Sequence, residues 1–282
     1  VRGRSLDCAR DDTMITLLCT VRECHLPLAI HERRAACANG HSFDRARSGY
    51  WNLLQPQDRR SKSPGDSADA VNARRRFIDA GHSEWLVEAT IAMLEKPRAI
   101  LDVGCGEGHH LGNFRRAFDA EAHGTDISLP AIELAAKRWR DCTFVVANAD
   151  RFLPYADASF DAVTSITARM TPAEFARVLE PGGVALVVIP APDDVIELRA
   201  AVLGAGEERD RTERTIETFA SHFTLARRER RQHRALLDRN AIRDVMASTY
   251  RGVRPRERER LEALGAMEVT ASRDLLLFRK TR

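Results

Sequence analysis

The segment Leu101-Asp102-Val103-Gly104-Cys105-Gly106-Glu107-Gly108 limits the fold of this chain more than any other stretch of its 282 residues. An apolar run at 99–103 ends in three alternate glycines, and helical spacing resumes at 110. A strand that turns through glycines into a helix lets backbone approach a ligand where a Cβ would collide. The spacing is Gly-x-Gly-x-Gly, not the Gly-x-Gly-x-x-Gly that cradles a dinucleotide pyrophosphate. Asp102 stands directly before the first glycine. A carboxylate there repels phosphates but accepts from an ammonium or orders a water, so the implied ligand carries a cationic amino-acid end.

The surrounding pattern extends this reading. Apolar strand runs at 99–103, 121–124, 143–146, 160–164 and 184–189 alternate with helical spacing at 77–94, 110–118, 130–139 and 172–179. Such alternation implies parallel pairing in a doubly wound α/β sheet. Asp126 lies 22 residues after Gly104, the place from which an acid holds two ribose hydroxyls. Asn148-Ala149 offers a side-chain carbonyl and a backbone N–H where an adenine edge would lie, and Pro181-Gly182-Gly183 precedes the last strand. A nicotinamide-dinucleotide domain with a variant loop is the competing reading. His109 and His110 are expected to begin a helix in solvent-facing or capping roles, and Cys105 to be a small packing residue.

At 44% hydrophobic and 30% charged, the chain has the balance of a globular protein. A scale of roughly 150 residues per domain allows one large domain, or one with a small partner. No apolar stretch approaches membrane-spanning length, and no hydrophobic signal block follows Val1-Arg2-Gly3-Arg4, so a cytoplasmic protein without membrane contact is expected. The net charge, 44 − 41 = +3, does not by itself declare a nucleic-acid partner. Forty of the 44 basic residues are Arg, a skew that G+C-rich codons also produce. Residues 45–76, however, hold eight basic side chains against three acids. Within that stretch Arg59, Arg60, Lys62, Arg74, Arg75 and Arg76 are the expected phosphate contacts, a solvated charge run being the alternative. Texture divides the chain into 1–50, a basic connector at 51–75 carrying Pro56, Pro64 and Gly65, and 76–282.

Four of the six cysteines fall in the first 40 residues. In a reducing cytosol, clustered cysteines point to metal before disulfides. Cys19-x4-Cys24 and Cys37-x3-His41 supply two ligand pairs for tetrahedral zinc, with Asn39-Gly40 as the tight turn of the second. The first pair is wider than the common Cys-x2-Cys, which leaves Cys8, His25 and His31 as substitutes and a metal-free knuckle as the alternative.

Taken in order, the glycine loop, Asp126, Asn148-Ala149, Phe160-Asp161 and Pro181-Gly182-Gly183 resemble the class I S-adenosylmethionine-dependent methyltransferases over 76–282. Cys24-His25-Leu26-Pro27-Leu28, Cys37-Ala38-Asn39-Gly40-His41-Ser42-Phe43-Asp44 and Ala46-Arg47-Ser48-Gly49-Tyr50-Trp51-Asn52-Leu53-Leu54 narrow the resemblance. So do Arg60-Ser61-Lys62-Ser63-Pro64-Gly65-Asp66-Ser67 and Ala73-Arg74-Arg75-Arg76-Phe77-Ile78-Asp79-Ala80-Gly81-His82. These blocks resemble the bacterial 23S rRNA (guanine-N1)-methyltransferases, which include a branch conferring resistance to tylosin-type macrolides.

The resemblance implies a Rossmann-like domain with a seven-stranded, mostly parallel sheet, bound S-adenosylmethionine, and an N-terminal zinc module that helps recognise an rRNA hairpin, often in a homodimer. It also implies that Ser83, Gly106, Glu107 and Asp194 line the cofactor pocket, joining Asp102, Gly104, Gly108, Asp126, Asn148 and Ala149. Departures from the family pattern are Ser83 for an aromatic residue, Asp194 for a histidine, Arg169 where Ala-Pro is common, and the stretch 246–251. They leave a small-molecule methyltransferase of secondary metabolism as the alternative function. Guanine N1 carries a proton at neutral pH, so a nearby base is needed. Asp193, Asp194 and Glu197 are the candidates, unless they are ordinary helix-start acids. A non-catalytic RNA-binding protein is disfavoured by the intact 102–108 loop.

Overall fold

The computed structural model describes residues 15–59, 61, 63–204, 210–249 and 255–281. Arg60, Lys62, Cys8, Tyr250 and Arg251 lie outside the described residues. The chain opens with an antiparallel ribbon of β1 (Ala29–Ile30), β2 (Arg34–Ala36) and β3 (Ser42–Asp44). After β4 (Trp51–Asn52) come α1 (Ala68–Asp79) and α2 (Glu84–Met93). The alternating region comprises β5 (Ala99–Val103), α3 (His109–Phe118), β6 (Glu121–Asp126), α4 (Leu129–Arg138) and β7 (Thr143–Val146). It continues through β8 (Phe160–Ile166), α5 (Pro172–Val178), β9 (Leu179–Pro190), α6 (Ile196–Leu203) and α7 (Thr212–Phe219). A long strand, β10 (Phe223–Leu237), is followed by α8 (Arg239–Thr249), α9 (Pro255–Ala263) and β11 (Met267–Lys280).

The main sheet has the order β10-β11-β9-β8-β5-β6-β7-β4. β4, β7, β6, β5, β8 and β9 pair in parallel, whereas β11 runs antiparallel to both β9 and β10. Seven strands are the expectation; β4 adds an eighth, placing Trp51 opposite Val145 inside the stretch read as a connector. The helix expected at 77–94 is two helices. Ser67 caps the first by accepting from the Ala70 N–H at 3.3 Å. Gly81, at φ +83°, then turns the chain before the second.

Three clusters build the interior. On one face of the sheet, Leu86, Leu111, Phe114, Ile132 and Trp139 from α2, α3 and the α4 end cover Ile100, Phe144 and Leu186. On the other, Phe175 and Phe219 share a cluster with Leu101, Val163 and Val187, and so do Cys19, Leu28, Cys37 and Phe43 of the N-terminal module. The module therefore occupies part of the layer that helices fill elsewhere in a doubly wound fold. A third cluster joins Leu198 of α6 and Ile242 and Met246 of α8 to Leu237 and Val269, beyond the carboxyl end of β9.

Candidate functional site

Parallel strands of this kind bind ligands outside their carboxyl ends, where strand order reverses. Here the reversal lies between β8 and β6, on either side of β5, and the glycine loop leaves from it. Gly104, Gly106 and Gly108 all have positive φ. A Cβ on Gly104 would stand 2.3 Å from the Ala168 Cβ, and one on Gly108 would stand 2.9 Å from the Phe144 ring, so both positions need glycine for space as well as conformation.

Asp102 is buried and lies opposite Thr164 in the β5–β8 register. The Thr164 hydroxyl donates to its carboxylate at 2.7 Å. Burial pushes the Asp102 carboxyl up to about 7, against the Thr164 hydrogen bond and with help from Asp126 and Glu107. Asp126 receives the Gly106 N–H at 3.0 Å and the Ser128 N–H at 2.8 Å, so it clamps the glycine loop to the start of α4. Burial raises its carboxyl as well. Asn148 donates to the Asp58 carbonyl at 2.8 Å, and its side-chain carbonyl accepts from the Asp150 N–H, so a backbone loop already engages both ends of the amide. Ala149 beside it is half-buried. Ser83 precedes α2 at its N-cap and its carbonyl accepts from Leu86 and Val87.

Asp58 and the segment 63–74 lie against this site rather than away from it. The Ser128 hydroxyl donates to the Asp66 carbonyl at 2.8 Å, and Gly65 has no room for a Cβ beside Ser128. Arg74 corrects the phosphate expectation. It turns inward, paired with Asp66, and its Nη1 stands 3.6 Å from Glu107 Oε2. Glu107 is buried, which raises its carboxyl, and Oε2 has no hydrogen-bond partner. Arg76 is also engaged: it forks onto both oxygens of Asp244, tying α1 to α8. Among the described residues expected to contact phosphate, Arg59, Arg75 and Arg76 are exposed, Arg75 paired with Asp79 one turn on and Arg76 with Asp244.

The three acids after β9 differ in what they hold. Both oxygens of Glu197 bind Thr270, through its N–H at 3.0 Å and its hydroxyl at 2.6 Å. These bonds outweigh burial and keep the carboxyl low, so Glu197 is a brace for β11 and a poor base. Asp194 is buried, accepts from the Ser272 N–H at 3.0 Å and pairs with Arg273. Asp193 accepts from Gln232 at 2.5 Å through Oδ2, while its Oδ1 has no hydrogen-bond partner. His109 and His110 are not solvent-facing. Both nitrogens of His109 and Nδ1 of His110 are buried without hydrogen bonds. Burial, with His109 and Arg273 nearby, pulls the His110 imidazole down to about 3. Cys105 is buried against the glycine loop, which pushes its thiol well above the ordinary range.

The N-terminal ligands converge. The ligand atoms of Cys19, Cys24, Cys37 and His41 lie within 4.8 Å of one another. Cys24 and Cys37 sulfurs are 3.9 Å apart, and His41 Nδ1 is 3.4 Å from the sulfurs of both Cys19 and Cys37. Zinc bonds of about 2.3 Å to sulfur and about 2.0 Å to nitrogen give tetrahedral edges of roughly 3.5–3.8 Å, so the set fits zinc. The wide first pair closes because Arg22 and His25 take left-handed conformations and the Cys24 N–H donates back to Val21. Asn39 donates to the Cys24 sulfur at 3.4 Å. His25 is not a ligand; its ring stacks on Phe152.

Thr164, Arg273 and the inward role of Arg74 are absent from the sequence reading, because only strand register and the path of 63–74 bring them to the site.

Comparison with known proteins agrees with this geometry. A family model described as a methyltransferase domain matches residues 100–183, and the zinc-ribbon model described as RlmA, N-terminal, matches 18–62. A 23S rRNA (guanine(748)-N(1))-methyltransferase of Streptomyces fradiae is 37% identical over 79% of this chain and 81% of its own length. A putative 23S rRNA (guanine-N(1)-)-methyltransferase of Bacillus subtilis is 31% identical over 86% and 89% respectively. The crystal structure of the Bacillus YcgJ protein superposes with a TM-score of 0.52 at 19% identity, covering 70% of this chain and 98% of that one, which supports the class I methyltransferase fold. Zinc knuckle, glycine loop and kinship over four-fifths of the sequence lead to one assignment: the chain belongs to the 23S rRNA (guanine-N1)-methyltransferase family.

Proposed function

We propose that this chain transfers a methyl group from S-adenosylmethionine to N1 of a guanine in a 23S rRNA hairpin. The observation that carries the reading is the shared core of the zinc module and the methyltransferase sheet, the first matched by the zinc-ribbon family model and the second by the methyltransferase one. A small-molecule relative would need only the second part.

The cofactor would supply a methyl carbon made electrophilic by its sulfonium. Asp102 would accept from the ammonium of the methionyl end, the glycine loop would admit its backbone-like atoms, and Asp126 would hold the ribose hydroxyls while keeping Gly106 in place. Catalysis on an activated donor is chiefly alignment. Of the three acids after β9, Asp193 has a buried carboxylate oxygen without a hydrogen bond and is the candidate to take the N1 proton. Arg59 and Arg75, with Arg60 and Lys62 beside them in sequence, would steer phosphates. Residues 1–50 would act as the zinc module, 51–75 as a basic connector whose 63–74 part straps the cofactor cleft, and 76–282 as the methyltransferase domain. The work on rRNA would place the protein in the cytoplasm, with a homodimer as its working form and macrolide resistance as its benefit. No described helix is long and apolar enough to cross a membrane.

A titration with an rRNA hairpin at low salt tests the reading. Saturable binding that weakens steeply with salt is expected. No binding, together with methylation of a small molecule from a cell extract, would favour the alternative.

A further inference from the structure

The acids around the glycine loop pose an electrostatic problem. Asp66, Asp102, Glu107 and Asp126 surround the place where the cofactor's methionyl end would lie, and each bears on the next through its charge. That wall attracts an ammonium and a sulfonium. It repels the third charge of the same ligand, the α-carboxylate.

Arg74 is the cation inside this wall. It stands on α1, half-buried, and a Cβ on Gly106 would lie 3.3 Å from its Nη1. Of its five N–H donors, the described residues engage those of Nη2 alone, through Asp66. The 3.6 Å between Nη1 and Glu107 exceeds a hydrogen bond, and Glu107 Oε2 accepts no hydrogen bond from the described residues. A half-buried guanidinium with donors to spare, set over the glycine where ligand and backbone must meet, is poised for a planar anion. We propose that Arg74 receives the α-carboxylate of S-adenosylmethionine, opposite the ammonium on Asp102. The assignment rests on the cofactor reading above. It makes α1, and with it the 63–74 strap, part of the cofactor site, so ligand binding and strap position are coupled.

The test is calorimetric binding to the full zinc-loaded chain. S-adenosylhomocysteine carries the amino-acid end; 5′-methylthioadenosine keeps the adenine, ribose and thioether but lacks it. Arg74→Gln should weaken the first by about tenfold or more and leave the second within about twofold, as loss of one charge-assisted contact requires. Arg74→Lys should retain part of the affinity, since the charge survives without the fork. On the unaltered protein, the carboxamide of S-adenosylhomocysteine should bind about tenfold more weakly than the acid. Equal affinity for acid and carboxamide would overturn the proposal even if the variants fail to fold. Equal loss of both nucleosides in Arg74→Gln would assign Arg74 to holding the strap. Binding of neither nucleoside by the unaltered protein would instead remove the cofactor reading itself.

Discussion

His25 lies flat on Phe152, ring centroids 3.9 Å apart and planes 13° from parallel, and Arg177 covers the same phenyl ring at 4.7 Å. The first residue belongs to the zinc knuckle and the second to the loop between β7 and β8. Leu17 bridges to Tyr155 alongside them, so the knuckle is fused to the wall of the cofactor domain.

This fusion predicts one unfolding transition. Chelating the zinc, or replacing Cys37 with Ser, should lower the melting temperature of the whole chain, because metal binding contributes folding free energy to the module and the module shares its core. Scanning calorimetry checks it. Two separate transitions, with the larger unmoved by chelator, would contradict the shared core.

Asp102 sets a pH dependence. Its carboxyl rises from an ordinary 3.8 to about 7 in the ligand-free fold, chiefly through burial. The raised value means that its contribution to stability is present below about 4 and is lost as pH rises towards 7. Ligand binding has the opposite sign, since the ammonium needs the ionised form. Affinity for S-adenosylhomocysteine should rise by about tenfold from pH 6 to pH 8, with proton release at the lower pH. Asp102→Asn should bind weakly and flatten both curves.

The acids after β9 should separate by role. Asp193→Asn should lower kcat by about tenfold or more with little change in cofactor affinity. Glu197→Gln should instead cost stability, because it loosens the two bonds to Thr270, and should leave the shape of the pH–rate profile unchanged. A normal rate in Asp193→Asn would exclude it as the proton acceptor.

The basic residues should separate too. Arg59→Ala should weaken binding to all hairpins alike and reduce the salt slope by about one. Arg76→Ala should leave that slope alone and shift the melting temperature, because its partner is Asp244. A reduced slope from Arg76→Ala would return it to the RNA surface.

Some of this was legible in the sequence. The strands at 99–103 and 143–146 end where expected, since runs buried on both faces have sharp polar boundaries. The metal set was legible from spacing, even with a stretched first pair. Other features depend on distant partners. The two-residue strand at Trp51 exists only because Val145 offers it an edge. β10 carries Arg227, Arg228, Arg230, Arg231 and Arg234 with no apolar alternation, and acids such as Asp274, Glu213 and Glu268 across or beside it meet their charge. Arg74 and Arg75 are neighbours in a basic run, and only the turn of α1 sends one to the glycine loop and the other to solvent.

The acceptor atom distinguishes an rRNA guanine-N1 methyltransferase from every alternative. The purified protein should be incubated with isotopically labelled S-adenosylmethionine and a 23S rRNA domain lacking the modification, and the nucleosides resolved by mass spectrometry. Label is expected in 1-methylguanosine at a single hairpin position, and its loss is expected in Asp126→Ala. Label in another nucleoside, or in a small molecule while the rRNA stays unlabelled, would contradict guanine-N1 methylation of rRNA.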